Sequence, residues 1–290
     1  MQRLIVNADD FGLTPGVNRA IGELHDQGLL TSATLMARAA ATDEAVATAL
    51  RSPSLGVGCH LVFVDGDPVL AATEIPSLVG SRTGRFHSTL GAFLRRALAG
   101  DIPAAEIEAE AAAQIACLHR RGVVLTHIDT HKHTHMFQAV LRPVLRAARA
   151  AGIGAVRNPF EPAWSRRATP NAPIVRRLEV RLLQLLEPAF RRIVAEEGFI
   201  TTDGAIGVLA TGTLDTTTVN SLLRHMPPGT WELVTHPGYN DTSLGQVRTR
   251  LRESRETERQ ALAALLQRDG VDLVSFAQLV ADGTALARYT

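Results

Sequence analysis

The chain has 290 residues, of which 46 % are hydrophobic and 20 % are charged, the balance of a folded globular protein. Its formal net charge of +1 gives no general attraction to nucleic acid or to a membrane. Two cysteines are too few for a disulfide framework, no segment approaches the ~18 apolar residues of a membrane span, and the N-terminal residues lack a signal peptide pattern. We therefore expect one cytoplasmic domain over residues 1–290.

Short apolar runs alternate with longer amphipathic stretches along the chain. The first run, Arg3–Ala8, predicts a buried strand, and the helix after it should have Thr14 as its N-cap and Pro15 as its first residue. Further strands are predicted at residues 31–37, 55–64, 123–129, 154–159, 205–210, 231–236 and 271–276. Repeated alternation of strand and helix predicts a parallel sheet with crossover helices.

Seven or eight such units over this length predict an α/β fold, an irregular (β/α) barrel of seven or eight parallel strands. An open doubly wound sheet is the alternative, because periodicity does not separate the two. Two segments interrupt the alternation. Residues 65–98 are rich in proline, glycine and polar residues and predict a loop insertion above the barrel. Residues 164–200 predict a helical insertion.

Polar residues stand at the ends of several predicted strands, where parallel α/β folds place their active sites. Asp9 and Asp10 end the first strand, and both can reach one cavity because the chain turns there. His236 precedes a Pro-Gly turn and is well placed as a general acid. Arg157 also follows a short strand, where its permanent charge could hold a carboxylate ionised.

Four of the ten histidines lie within the eleven residues THIDTHKHTHM, residues 126–136. If the preceding strand continues into this run, its two-residue period places His127, Asp129 and His131 on one side. Imidazole is the commonest protein ligand for zinc, and carboxylate oxygens suit zinc and harder ions alike. The run therefore favours a metal site over a solvated polar loop.

A metal at the strand ends needs ligands from several strands. Asp10, His60 and His131 would supply one ligand from each of three strands and leave positions open for water and substrate. His127 could take the place of His131, since both would lie on the same face. The expected cofactor is one divalent metal ion, zinc or magnesium.

Together these motifs resemble the YdjC-like carbohydrate deacetylases, a family that includes chitooligosaccharide deacetylase. The likeness rests on LIVNADDFGLTPGVNRAI, GVGCHLV, THIDTHKHTHM and THPGYND, which are spread over residues 4–241. The stretch HLVFVDGDPVLAATEIPSLV is most similar to the branch associated with hopanoid lipid biosynthesis.

The resemblance implies a barrel related to polysaccharide deacetylases and a metal-dependent removal of the N-acetyl group from an amino sugar. It implies Asp10, His60 and His131 as metal ligands and Asp9 as the general base. The preference for His131 over His127 follows from the resemblance, not from the spacing. The substrate would be an N-acetylated sugar or, in the hopanoid branch, a glycolipid.

Two other functions fit the same residues. One is another metal-dependent barrel hydrolase or phosphoesterase, although no glycine-rich phosphate loop follows a strand. The other is a non-catalytic metal-binding module. The acidic pair Asp9–Asp10 and the distant His236, all at strand ends, favour catalysis over binding alone.

Residues 165–192 carry seven arginines and two glutamates. Apolar residues recur among them at helical spacing: Ile174, Leu178, Leu182, Leu185 and Leu186. Such a helix could contact an anionic membrane through residues 174–187. We expect instead that its apolar face packs on the barrel or on the second subunit of a homodimer, as most such faces do. Pro188 should end or kink the helix near Glu187.

Overall fold

The protein is described by a computed structural model that covers residues 1–170, 172–267 and 270–287. Within those residues seven strands form one parallel sheet: β1 (Gln2–Phe11), β2 (Ser32–Leu35), β3 (Gly56–Leu61), β4 (His127–Thr130), β5 (Gly204–Ile206), β6 (Gly229–Thr235) and β7 (Val271–Leu273). Their order is β4-β3-β2-β1-β6-β5, and β7 pairs with the first residues of β1. The long, fully buried part of β1 is the centre of this sheet.

The two outer strands of this order, β4 and β5, are joined by residues 154–160. The Ile128 amide donates to the Ala155 carbonyl at 3.0 Å, and the Ala205 amide donates to the Phe160 carbonyl at 3.1 Å. These single bridges close the sheet into an irregular parallel barrel, so the predicted fold class is confirmed. The strand predicted in this segment is wrong, because its backbone passes from one edge of the sheet to the other instead of following one neighbour.

Helices connect the strands. They are α1 (Pro15–Asp26), α2 (Thr42–Arg51), α3 (Leu90–Ala99), α4 (Ala104–His119), α5 (Gln138–Ala150), α6 (Ala163–Ala168), α7 (Ile174–Leu183), α8 (Glu187–Glu196), α9 (Thr216–His225), α10 (Thr242–Gly245), α11 (Ser254–Ala261) and α12 (Phe276–Ala287). As predicted, Thr14 caps α1 by accepting from the Val17 amide, and Pro15 starts the first turn. Among the helices described, none has both the length and the apolarity that a bilayer crossing requires.

The predicted loop at 65–98 is wrong in its last third, where α3 forms. Thr89 caps this helix by accepting from the Ala92 amide at 3.2 Å, and Gly100 ends it in a left-handed conformation with φ 80°. Both prolines of this segment and three of its four glycines precede Thr89. From residue 62 to residue 89 the backbone is irregular, with one isolated bridge between Val79 and Phe86.

Four residues of the predicted apolar stripe are exposed and do not pack on the barrel, while the fifth, Leu186, is partly buried against the core. Packing of the stripe on a second subunit stays a prediction. Ile174, Leu178, Leu182 and Leu185 have exposed fractions of 76 %, 61 %, 67 % and 74 %. The helix contacts the barrel through Val180 instead, which packs against Leu209. The chain does break as predicted: a 3-10 segment at residues 184–186 separates α7 from α8, and Pro188 lies in the first turn of α8.

Candidate metal centre

The carboxyl ends of β1, β3 and β4 bring Asp10, His60 and His131 together. One ligand atom from each lies within 4.8 Å of the others. Asp10 Oδ1 is 3.5 Å from His60 Nε2 and 3.3 Å from His131 Nδ1. This oxygen is buried and has no hydrogen-bond partner among the described residues. An unpaired carboxylate oxygen that faces two imidazole nitrogens is the arrangement a metal ion would complete.

His60 is held in one orientation by the neighbouring strand. It pairs in register with Asp129 of β4, and its Nδ1 donates to Asp129 Oδ1 at 2.8 Å. Its Nε2 therefore points toward Asp10 and His131, as the carboxylate–histidine pairs of metal sites require. Burial would lower the pKa of His60, but Asp129 and the two aspartates of β1 raise it to about 9. The site thus favours a positive charge at His60 Nε2, either as a bound proton or as a bound cation.

His127, the alternative third ligand, lies apart from this group. It precedes Asp129 by two residues on β4, and its ring stacks on Phe276 with the ring centroids 3.8 Å apart. Burial lowers its pKa to about 3, so it stays neutral. The structure therefore brings His131, but not His127, to Asp10 and His60.

Asp10 divides its two carboxylate oxygens between two partners. Oδ2 accepts from Nη2 of Arg255, a fully buried side chain of α11, at 2.5 Å. Oδ1 is left for the two histidines. Burial would raise the pKa of Asp10, but Arg255 and His131 keep it well below its usual range. Gly238 makes room for this arginine, because a Cβ at that position would lie 3.2 Å from the arginine Cδ.

Asp9 faces a different set of partners from Asp10. Arg157 donates to its two oxygens at 2.6 and 2.8 Å, and the side-chain amide of Asn7 donates to Oδ1 at 3.0 Å. Burial would raise the pKa of Asp9, but Arg157, together with His60 and His236, holds the pKa well below its ordinary value. Asp9 is therefore ionised throughout the physiological range.

Arg157 is the central cation of a buried network. Besides Asp9 it binds Asp129, and its Nε donates to Glu232 Oε1 at 2.7 Å. Asp9, His60 and Asp129 also lie close enough to hold a metal ion, but the guanidinium of Arg157 already satisfies their charge. The metal group with the unpaired oxygen is thus the one built on Asp10.

His236 stands at the end of β6 on the same face of the barrel. Its Nε2 lies 3.8 Å from Asp9 Oδ2. On its other side, Glu258 of α11 accepts from the His236 amide at 2.6 Å and lies 3.6 Å from Nδ1. Burial would lower the pKa of His236, but Glu258, followed by Asp9 and Asp10, raises it. A proton on this imidazole is therefore stabilised, as a general acid requires.

The charges of the site also fit a cation. Five buried carboxylates surround it with two buried guanidiniums: Asp9, Asp10, Asp129, Glu232 and Glu258 with Arg157 and Arg255. With all five carboxylates ionised the formal excess is three negative charges, which burial makes costly, and it is smaller when Glu232, whose pKa burial raises to about 7, holds a proton. One divalent ion and a protonated His236 would cancel it. The donor set, the unpaired oxygen and this excess charge all fit a divalent metal.

The sequence analysis missed three residues of this site. Glu232 was detectable, because it is a charged residue within an apolar strand run. Arg255 and Glu258 were not, since an arginine and a glutamate three residues apart on a helix usually form a surface ion pair. The site residues predicted at strand ends, by contrast, are those that the barrel brings together.

Comparison with known proteins places these features in a family. The sequence profile of the YdjC-like protein family matches residues 3–267. A carbohydrate deacetylase of Brevibacillus brevis is 44 % identical over 146 residues, which cover 50 % of this chain and 55 % of that protein. A chitooligosaccharide deacetylase of Klebsiella pneumoniae is 40 % identical over 156 residues, 52 % of this chain and 57 % of the relative. The chain thus spans little more than half the length of these curated relatives.

A solved structure matches nearly the whole chain. It is a protein from Enterococcus faecalis with the provisional name of cellobiose-phosphate cleavage protein. The TM-score is 0.74 at 26 % identity, and the match covers 96 % of this chain and 98 % of the other. The barrel is therefore shared over its full extent. With the profile match over residues 3–267, these findings show that the chain belongs to the YdjC-like protein family.

Proposed function

We propose that the protein is a metal-dependent N-deacetylase that hydrolyses the acetamide of an amino sugar to acetate and a free amine. The observation that carries this proposal is the position of Asp9 and His236. These two groups lie 3.8 Å apart beside the candidate metal group, one ionised and one with a stabilised proton. The names of the relatives, carbohydrate deacetylase and chitooligosaccharide deacetylase, support the same reaction.

Asp10, His60 and His131 would hold the metal. When bound, a divalent ion polarises the acetamide carbonyl and lowers the pKa of a bound water. Two imidazoles favour zinc, and a site with three protein ligands and open positions also suits magnesium. The rest of the chemistry belongs to the side chains around it.

Asp9 accepts the proton of the attacking water, and Arg157 keeps this carboxylate ionised and oriented through two hydrogen bonds. His236 donates its proton to the departing nitrogen, since an amide anion is too basic to leave unassisted. Glu258 holds the imidazole in place and favours its protonated form. Base and acid thus lie 3.8 Å apart beside the candidate metal group.

The test is acetate and amine release from a panel of N-acetyl sugars, measured on purified protein before and after metal removal and re-addition. We expect release that depends on metal and disappears in His60→Ala. Metal binding without acetate release from any sugar would support a non-catalytic module. Release of phosphate from sugar phosphates in the same samples would support a phosphoesterase.

We further propose that the substrate is lipid-linked, of the N-acetylglucosaminyl hopanoid type. The support is the exposed stripe of α7. Val180 of the same helix packs on Leu209, three residues beyond β5, so α7 lies near the carboxyl end of that strand. The stripe could rest on a membrane, and homodimer formation would use the same surface. A cytoplasmic location is part of this proposal, and Cys59 and Cys117 are free thiols. A single domain over residues 1–290, with insertions at 65–98 and 164–200, is also part of this proposal.

A further inference from the structure

Strained backbone is concentrated around the candidate site. In the described part of the chain, four residues other than glycine have a left-handed conformation: Asp10, Asp65, Lys132 and His133, with φ of 63°, 59°, 57° and 52°. All four follow or end β1, β3 or β4. L-residues seldom adopt this conformation, and it clusters where function requires a fixed geometry. The metal centre accounts for Asp10 but not for Asp65 and Lys132.

Lys132 is also unusual in the sequence. Lysine and arginine together number 30, and Lys132 is the single lysine. All other basic side chains of this kind are the larger, planar guanidinium, whereas Lys132 is a compact ammonium with three donors that rotate freely. Lys132 lies between His131 and His133, and its Cα is therefore about 3.8 Å from that of a proposed metal ligand.

Lys132 and Asp65 form an ion pair between the segments that follow β3 and β4. Lys132 Nζ lies 3.0 Å from Asp65 Oδ2, and their side chains are 30 % and 23 % exposed. Among the described residues this is the only hydrogen bond or ion pair of either side chain, so two ammonium donors and Asp65 Oδ1 remain for a ligand. The Asp65 amide donates to the His87 carbonyl at 2.9 Å, which fixes the backbone from the other side.

We propose that Lys132 and Asp65 form a subsite for the hydroxyl groups of a neutral sugar ring, next to the N-acetyl group at the metal centre. This inference rests on the proposed function. A sugar hydroxyl both donates and accepts, and the pair offers an acceptor and donors side by side without net charge. A phosphate or carboxylate would meet the Asp65 carboxylate and be repelled. The subsite thereby selects among neutral N-acetyl sugars.

The competing role is a structural one, in which the pair only ties two loops together. The charge-reversed double variant Lys132→Asp/Asp65→Lys distinguishes the two, because it restores the ion pair but exchanges donor and acceptor positions. Single variants are Lys132→Met and Asp65→Asn. Arg85→Met is the matched control, since Arg85 forms an exposed ion pair with Asp67 at 2.7 Å in the same loop.

The experiment measures three quantities on metal-loaded protein: calorimetric binding of N,N′-diacetylchitobiose, KM and kcat for its deacetylation, and the thermal unfolding midpoint. Both single variants should bind the disaccharide roughly 10-fold to 100-fold more weakly, the cost of losing a hydrogen bond to a charged group. KM should rise with little change in kcat. The reversed pair should recover the unfolding midpoint but not the binding, and Arg85→Met should match the wild type.

The subsite is overturned if the reversed pair recovers binding as well, or if both single variants bind normally. It is also overturned if the wild type binds no neutral sugar, or if Asp65→Asn improves binding of a phosphorylated sugar while Lys132→Met abolishes it. Wild-type protein that binds the disaccharide but releases no acetate from any member of the N-acetyl sugar panel would refute the proposed deacetylation and leave the subsite standing. The two proposals therefore fail in distinguishable ways.

Discussion

Arg255 donates to Asp10 Oδ2 at 2.5 Å and thereby leaves Asp10 Oδ1 as the oxygen that faces His60 and His131. Nε and Nη1 of this arginine are buried without a hydrogen-bond partner among the described residues, so Asp10 is its main anchor. Asp10 has a left-handed backbone as well. A helix distant in sequence thus controls which oxygen of Asp10 faces the two histidines.

Arg255→Met should weaken metal binding roughly 10-fold to 100-fold, the usual effect of removing a group that orients a ligand. The Asp10 carboxylate could then rotate, so that either oxygen faces the histidines, and Arg255 would no longer balance its negative charge. Calorimetric titration of the metal-free protein measures the effect directly. Arg259→Met is the control, since Arg259 lies one turn further along α11 and pairs with Glu256. Equal affinity in all three proteins would show that Arg255 does not position Asp10.

The two neighbouring aspartates should respond differently to the same substitution. Asp9→Asn keeps the shape of the side chain and removes the base, so metal content should stay while kcat falls by roughly 10²–10⁴. Asp10→Asn should lose metal, because its Oδ1 is the proposed ligand atom and the carboxylate charge is removed. Metal analysis and turnover on the same preparations give the answer. If Asp9→Asn loses the metal and Asp10→Asn keeps it, the two roles are exchanged.

The histidines of β4 provide a matched pair. His131→Ala should lose most bound metal, as should His60→Ala, because two remaining ligands hold a divalent ion poorly. His127→Ala should keep the metal and instead lower the free energy of unfolding by about 1–3 kcal/mol, since it removes the ring stacked on Phe276. Metal content by elemental analysis and denaturant unfolding separate the effects. Loss of metal in His127→Ala alone would make it the third ligand.

Glu258 should control the alkaline side of the pH profile. Its charge favours the protonated form of His236, whose pKa is raised. A general acid loses activity as pH rises through its pKa, so removing that charge in Glu258→Gln should move the alkaline limb of kcat to lower pH. Glutamine can still accept from the His236 amide, and the unfolding midpoint controls for structural damage. An unmoved limb would show that His236 is not the group that titrates there.

The strand-end rule explains why several site residues were predictable from the sequence. Asp9, Asp10 and His236 lie at or just after strand ends, and a parallel barrel brings such ends to one face. The choice of His131 over His127 came from the family resemblance instead. The rule carries no information on side chains that arrive from helices, and Arg255 and Glu258 arrive from α11. Nor does an apolar run distinguish a strand from a bridging segment, which is why residues 154–159 were predicted wrongly.

The same limit applied to α7, whose period predicted the helix and its apolar stripe but not what the stripe contacts. Arg176 and Arg177 donate to backbone carbonyls of Val208 and Thr169. These contacts and buried Val180 orient the helix, so its apolar stripe faces outward. Whether the stripe is buried depends on tertiary contacts, which the spacing of apolar residues along a helix does not reveal.

The exposed stripe of α7 yields the last prediction, which concerns binding to anionic liposomes. Residues 165–192 carry seven arginines and two glutamates around it, so an anionic surface would attract the segment and the leucines would enter the interface. Leu182→Ser/Leu185→Ser should abolish sedimentation with the liposomes at physiological salt. Leu98→Ser is the control, because Leu98 is similarly exposed on α3. Circular dichroism checks that each variant folds.

Binding that vanishes at physiological salt in the wild type would show surface electrostatics alone. The stripe would instead bind a second copy of the chain if two results were found together. The wild type would not bind liposomes but would be a dimer by light scattering, and the double variant would be a monomer.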